Sequence, residues 1–218
     1  MTYSFMGETI DLGVMASHGG SNLQAIIDAC QNGTLDARVR VVISNNSLSK
    51  ALRRARKSDI PAIHLSSVTH PDKNELDKAI TSTMVHNKVQ LVVLAGYMRK
   101  LGETMVQAYP NRIINSHPSL LPLHGGFSMY GDLVHEEVIT QRDRESGITI
   151  HIVDEEYDHG PVVSQVRVLV NAEDSIDSLR DRIQSKEHGF WIETLNKIQS
   201  GEIDLDKLKE TRNPHLDE

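Results

Sequence analysis

The chain has 218 residues, 39% of them hydrophobic and 24% charged, a balance that suits one medium globular domain and excludes a fibrous or disordered chain. The formal charge of −7 argues against a protein that grips a nucleic-acid backbone, and no apolar run is long enough to cross a membrane. A single cysteine, Cys30, cannot close an intramolecular disulfide, and "MTYSFMGETIDL" lacks a basic stretch followed by an apolar one, so a cytoplasmic protein without a secretory leader is expected.

In chain order, "TIDLGVMAS" (9–17) reads as a buried strand, and 21–33 as a helix with Leu23, Ile26, Ile27 and Cys30 on one face. Ser21 is the expected N-cap of that helix and Gly33 its stop. A strand is predicted at 37–44, a helix at 49–59 and a short strand at 62–65. The basic run "RRARK" (53–57) fits the polar face of an ordinary helix. Leu76, Ile80 and Met84 mark a helix over 71–87, and "VQLVVLAG" (89–96) is the clearest buried strand. A short helix (103–109) and the strand "RIINS" (112–116) follow. Next come a helix (131–142), two strands (147–153 and 161–170) and a long helix (175–200). Such alternation predicts an α/β protein with a mostly parallel central sheet covered on both faces. One domain is expected over 1–203, with a loose charged tail over 204–218.

Three stretches carry chemistry. "SHGGSN" (17–22) joins the first strand to the first helix, where free N–H groups and glycines favour a phosphate. It fits neither a dinucleotide fingerprint nor a Walker loop, and a plain glycine turn remains open on this stretch alone. In "IINSHPSLLPLHGG" (113–126), Ile113, Asn115 and His117 share one strand face, and Pro118 restricts the backbone of His117. The prolines and glycines thus fix an amide and an imidazole that work together, against the reading of a structural histidine beside a turn. A cis Leu121–Pro122 bond is expected there. "DEEYDHGPVV" (154–163) offers an aspartate that can orient and charge a distant histidine, or is a solvated acidic turn. "HEEVI" (135–139) is half of a zincin motif without its second histidine, and no spacing among the 11 histidines assembles a metal site.

These segments resemble the phosphoribosylglycinamide formyltransferase family, folate-dependent transferases of purine biosynthesis, over roughly residues 9–203. "GSNLQAIIDAC" (20–30), "VVLAGYMRKL" (92–101), "NSHPSLLP" (115–122), "YDHGPVV" (157–163) and "QSKEH" (184–188) are similar to family motifs and stand in family order. The resemblance implies a three-layer, Rossmann-like fold and a catalytic trio of Asn115, His117 and Asp158. It implies that Gly20, Ser21 and Asn22 hold the substrate phosphate, and that Glu187, with Gln184 nearby, meets the ribose. Lys73, Met98, Arg99, Lys100, Leu101, Asn115 and the loop Asp154, Glu155, Glu156, Tyr157, Asp158 would bind the formyl donor. The donor implied is 10-formyltetrahydrofolate and the acceptor 5-phosphoribosylglycinamide, with no metal and no nucleic acid, in a monomer or homodimer. His151 is implied as a supporting residue beside the trio. His18, His159 and the segment 123–135 depart from the common family pattern, while Gly126 keeps it.

Relatives with the same trio give the alternatives. A formyltransferase for initiator tRNA usually adds a C-terminal nucleic-acid-binding domain, and a formyltetrahydrofolate hydrolase a regulatory domain before the catalytic one. A sugar-nucleotide formyltransferase would lack this form of the phosphate loop. A catalytically silent folate-binding protein of the same fold would bind without turnover.

Overall fold

The computed structural model describes Phe5 and residues 7–208. The elements run β1 (Ile10–Met15), α1 (Ser21–Asn32), β2 (Ala37–Ser44), α2 (Lys50–Lys57), β3 (Ala62–His64), α3 (Lys73–His86) and β4 (Leu91–Leu94). They continue as α4 (Glu103–Ala108), β5 (Ile113–His117), α5 (Asp132–Thr140), β6 (Glu145–Ile152), β7 (Val162–Leu169) and α6 (Ile176–Ser200). One 3-10 turn, Leu205–Lys207, follows. Every predicted element is present, with ends shifted by a few residues.

All seven strands form one sheet in the order β3-β2-β1-β4-β5-β6-β7. The first five are parallel, and β6 and β7 are antiparallel to their neighbours. Strands buried on both faces explain the unbroken apolar runs, such as Leu91–Leu94, that lack polar alternation. One face packs against α1, α2, α5 and α6 through Leu23, Ile26, Leu52, Val138 and the fully buried Trp191. The other packs against α3 and α4 through Ile80, Met84 and Met105. Cys30 lies against the first of these cores, and burial pushes its thiol up to about 11, which makes it unreactive.

The strand order reverses between β1 and β4, and ligands of open parallel sheets bind at such a point, beyond the carboxyl ends of the strands. The turns after β1, β4 and β5 meet there. Ser17 joins two of them: its N–H donates to the Gly96 carbonyl, its hydroxyl donates to Asn45 Oδ1 (2.6 Å), and it accepts the Met98 N–H (2.8 Å).

The segment expected as a loose tail begins packed. Leu205 is buried, and Asp206 takes a two-pronged bond from Arg112 at 2.8 and 2.7 Å. Residues 209–218 lie outside the described residues. The Arg112 guanidinium holds the Asp206 carboxyl below its ordinary value of 3.8. Asp206→Asn is therefore expected to cost about 1–3 kcal/mol, read as a lower melting temperature at pH 7. The gap from wild type is full above the unfolded carboxyl's ordinary pKa of 3.8 and fades as pH falls through the lower folded value. An equal gap throughout the acid range would contradict the ionic part of this contact.

Candidate active site

The strand β5 ends on residues that point to opposite sides of the sheet. Ile113, Asn115 and His117 take one face, and Ser116 takes the other, where its hydroxyl donates to Glu187 Oε1 on α6 at 2.7 Å. Glu187 is therefore seated at the sheet edge beside the end of β5. Ser116 escaped the sequence reading, although a polar residue between Asn115 and His117 on a strand must face the opposite layer.

Asn115 pairs in register with His151 on β6, so their side chains lie side by side. Asn115 Nδ2 lies 3.1 Å from His151 Nε2, and His151 Nδ1 donates to the Ile152 carbonyl at 2.8 Å. Asp158 sits between two rings: Oδ2 is 3.3 Å from His117 Nδ1, and Oδ1 is 3.5 Å from His151 Nε2. The trio named from the sequence is thus assembled, with His151 as a fourth member. Asp158 adopts a left-handed backbone (φ 55°), a strained conformation for a non-glycine residue.

The loop from Pro118 to Gly126 closes over these groups. Its Leu121–Pro122 bond is cis, as expected. Thr149, in register with His117 on β6, donates to the Ser119 carbonyl (2.7 Å) and accepts the Leu121 N–H (3.0 Å). Gly126 (φ 100°) donates its N–H to Asp158 Oδ2 at 3.1 Å. A Cβ on Gly125 would lie 2.5 Å from Leu121 Cδ2 and 3.3 Å from Asp158 Cβ, so glycine lets the loop pass close without displacing the Leu121 side chain. The His124 carbonyl accepts from His117 Nε2 at 2.7 Å, and the His124 ring is held by Asp143 at 2.5 Å.

Both nitrogens of His117 therefore face acceptors, and only the doubly protonated ring can donate to both. Burial nevertheless pushes its pKa below 6.5 and outweighs the pull of Asp158 and of the His124 carbonyl. The expectation that Asp158 keeps the ring charged thus needs correction: Asp158 raises the proton affinity without restoring it to its ordinary value. Burial alone would raise the Asp158 pKa, but His151, His117 and the Gly126 N–H together bring it below its ordinary value, so the carboxylate is ionised.

Beside this cluster lies a pocket of about 90 Å³ lined by Leu94, Tyr97, Arg99, Lys100, Leu101, Asn115, His151, Val153, Asp154, Glu156, Tyr157 and Asp158. It brings together most of the residues expected at the formyl donor. Lys73 and Glu155 do not line it: Lys73 is the exposed first residue of α3, and Glu155 is exposed on its loop. Met98 does not line it either: it is 43% exposed, and its N–H donates to Ser17 Oγ. Lys100 lies over the Tyr157 ring at 5.3 Å, and Phe127 meets the same ring at 5.9 Å. A second pocket, of about 220 Å³, lies on the loop side of Asp158, between Leu121–Gly126 and Glu156–Gly160. Gln184 is exposed on α6.

The turn after β1 differs from expectation at one residue. Gly20, not Ser21, is the N-cap of α1, in a left-handed conformation (φ 65°) and without a side-chain cap bond. A Cβ there would meet the Ala51 Cβ at 2.8 Å, so glycine also lets α2 approach. Ser21 opens the helix and is exposed; Asn22 is buried, its Oδ1 without a protein partner. Among the described residues no group of three or more His, Cys, Asp or Glu is placed to hold a metal ion. No described helix is long and apolar enough to cross a membrane.

The formyl transferase family profile matches residues 12–195. The chain belongs to the formyl transferase family. Within that family it is 35% identical over 194 residues to "Phosphoribosylglycinamide formyltransferase" of Haemophilus influenzae, covering 89% of each chain. Its fold matches the crystal structure of glycinamide ribonucleotide transformylase 1 from Symbiobacterium toebii, with a TM-score of 0.83 and 36% identity over 90% of each chain. A formyltetrahydrofolate deformylase from Pseudomonas syringae is more distant: 26% identity, TM-score 0.78, and only 63% of that chain covered. Formyl transfer is thus the chemistry the family is described by, and the pocket and the polar cluster stand together at the sheet edge.

Proposed function

We propose that the chain transfers the formyl group of 10-formyltetrahydrofolate to the amine of 5-phosphoribosylglycinamide, a step of purine biosynthesis. The observation that carries this reading is the assembly of Asn115, His117 and Asp158 beside a pocket lined by Asn115 and Asp158, in a chain of this family. The pocket walls supplied by Leu94, Tyr97, Leu101 and Val153 suit a flat heterocycle, and Asp154 and Asp158 suit its polar edge. The loop before α1 suits the ribonucleotide phosphate, and Glu187, fixed by Ser116, suits the ribose hydroxyls.

In this reading the amine attacks the formyl carbon, and the carbonyl oxygen becomes an oxyanion. Asn115 has a second amide N–H with no protein partner among the described residues, and it is free to donate to that oxygen. Of the two His117 contacts, the one to Asp158 is the longer, at 3.3 Å against 2.7 Å, so the Nδ1–H is the one a substrate oxygen can win. As the intermediate collapses, the bond from carbon to the folate nitrogen breaks and that nitrogen takes a proton. His117 supplies this proton and regains one from the attacking amine. A ring whose burial weakens its hold on a proton is a stronger acid, which suits this role. Asp158 orients the ring and offsets part of the burial cost. No covalent enzyme intermediate is needed.

The test is donor turnover by the purified protein with and without the ribonucleotide. Loss of the formyl donor only when the ribonucleotide is present is expected. Equal loss in water alone would assign a deformylase instead, and saturable folate binding without turnover a silent binding protein.

A further inference from the structure

The basic run on α2 is more than a solvated face at one residue. Arg54 reaches across to the turn after β1, where Nε donates to the Gly19 carbonyl and Nη1 to Gln24 Oε1, both at 3.0 Å. It is half-buried, whereas Arg53, Arg56 and Lys57 are exposed.

An anion-binding loop must offer N–H groups and keep its carbonyl oxygens away from the guest. The three residues before α1, His18, Gly19 and Gly20, sort them in this way. The His18 carbonyl accepts the Ala51 N–H at 3.1 Å, and the Gly20 carbonyl accepts the Gln24 N–H at 3.0 Å. The Gly19 carbonyl is taken by the Arg54 side chain alone. Among the described residues, none of the backbone N–H groups from His18 to Leu23 donates to a protein acceptor. The loop's own side chains bring no permanent charge: His18 is exposed and the rest are Gly, Ser and Asn.

We propose that Arg54 is a positioning residue of the phosphate site. Of the His18, Gly19 and Gly20 carbonyls it holds the one that no backbone N–H takes, and it places a fixed positive charge against the loop. This inference rests on the reading of 17–22 as the phosphate loop, and the experiment separates the two.

The experiment titrates inorganic phosphate against the amide signals of Gly19, Gly20 and Ser21 in wild type, Arg54→Met and Arg54→Lys, each checked for an intact fold by melting. The Michaelis constants for both substrates are measured on the same proteins. In Arg54→Met, the phosphate dissociation constant and the ribonucleotide KM are expected to rise about tenfold or more, as for loss of a charged hydrogen bond. The KM for the formyl donor is expected to stay within about twofold. Arg54→Lys keeps the charge but not the fork, and is expected to recover part of the loss. Saturable phosphate binding in wild type with unchanged affinity in Arg54→Met overturns the role of Arg54 alone. An equal rise in both Michaelis constants also overturns it, because the effect is then general to the fold. No saturable shift in wild type overturns the phosphate-loop reading itself.

Discussion

His117→Ala is expected to lower kcat by about 10²–10⁴-fold, the range for losing a positioned acid–base group. The ring bridges Asp158 and the His124 carbonyl, and its removal leaves an ionised carboxylate and a carbonyl without that shared partner. Some loss of stability is expected for the same reason, so a melting curve accompanies the rate. Substrate binding should weaken far less than kcat, since the contact matters most when the oxyanion has formed. Wild-type turnover in a folded His117→Ala protein would remove the residue from the mechanism.

Asp158→Asn tests a different link, between charge and proton affinity. Burial lowers the His117 pKa and the Asp158 carboxylate raises it, with burial ahead. Removing the carboxylate charge must then lower the His117 pKa further. If the protonated ring is the acid, activity is lost as pH rises through its pKa. The alkaline limb of the kcat profile is therefore expected to move to lower pH in Asp158→Asn, with kcat at neutral pH reduced about 10²-fold or more. A ring titration by NMR should show the same displacement. An unmoved limb and an unmoved ring signal would leave Asp158 without its assigned influence on His117.

The fold could be read from the chain because its strands are buried on both faces and its helices keep one apolar stripe. "LVVL" of β4 and the Leu76–Ile80–Met84 row of α3 carry that information locally. The site was legible where a strand's two-residue period decides direction. Asn115 and His117 share a face for that reason, and Ser116 must take the other. What sequence could not supply was contact between backbone and distant side chains. The His124 carbonyl on His117 involves no side-chain identity at position 124, so no residue type announces it. Arg54 meets Gly19 from another helix, and in sequence it is one cation among several. Ser21 looked like a cap because serine often is one, yet the close approach of α2 puts a left-handed glycine there instead. The balance at His117 also needed structure, because the depth of burial decides against Asp158.

The central claim is direct transfer between two bound small molecules. It is tested most directly by giving the protein the folate donor labelled with ¹³C in its formyl group, together with the ribonucleotide, and following the carbon by NMR. The label is expected to move from the folate nitrogen to the glycinamide nitrogen without free formate. Label collecting as formate, at the same rate with or without the ribonucleotide, would contradict the account.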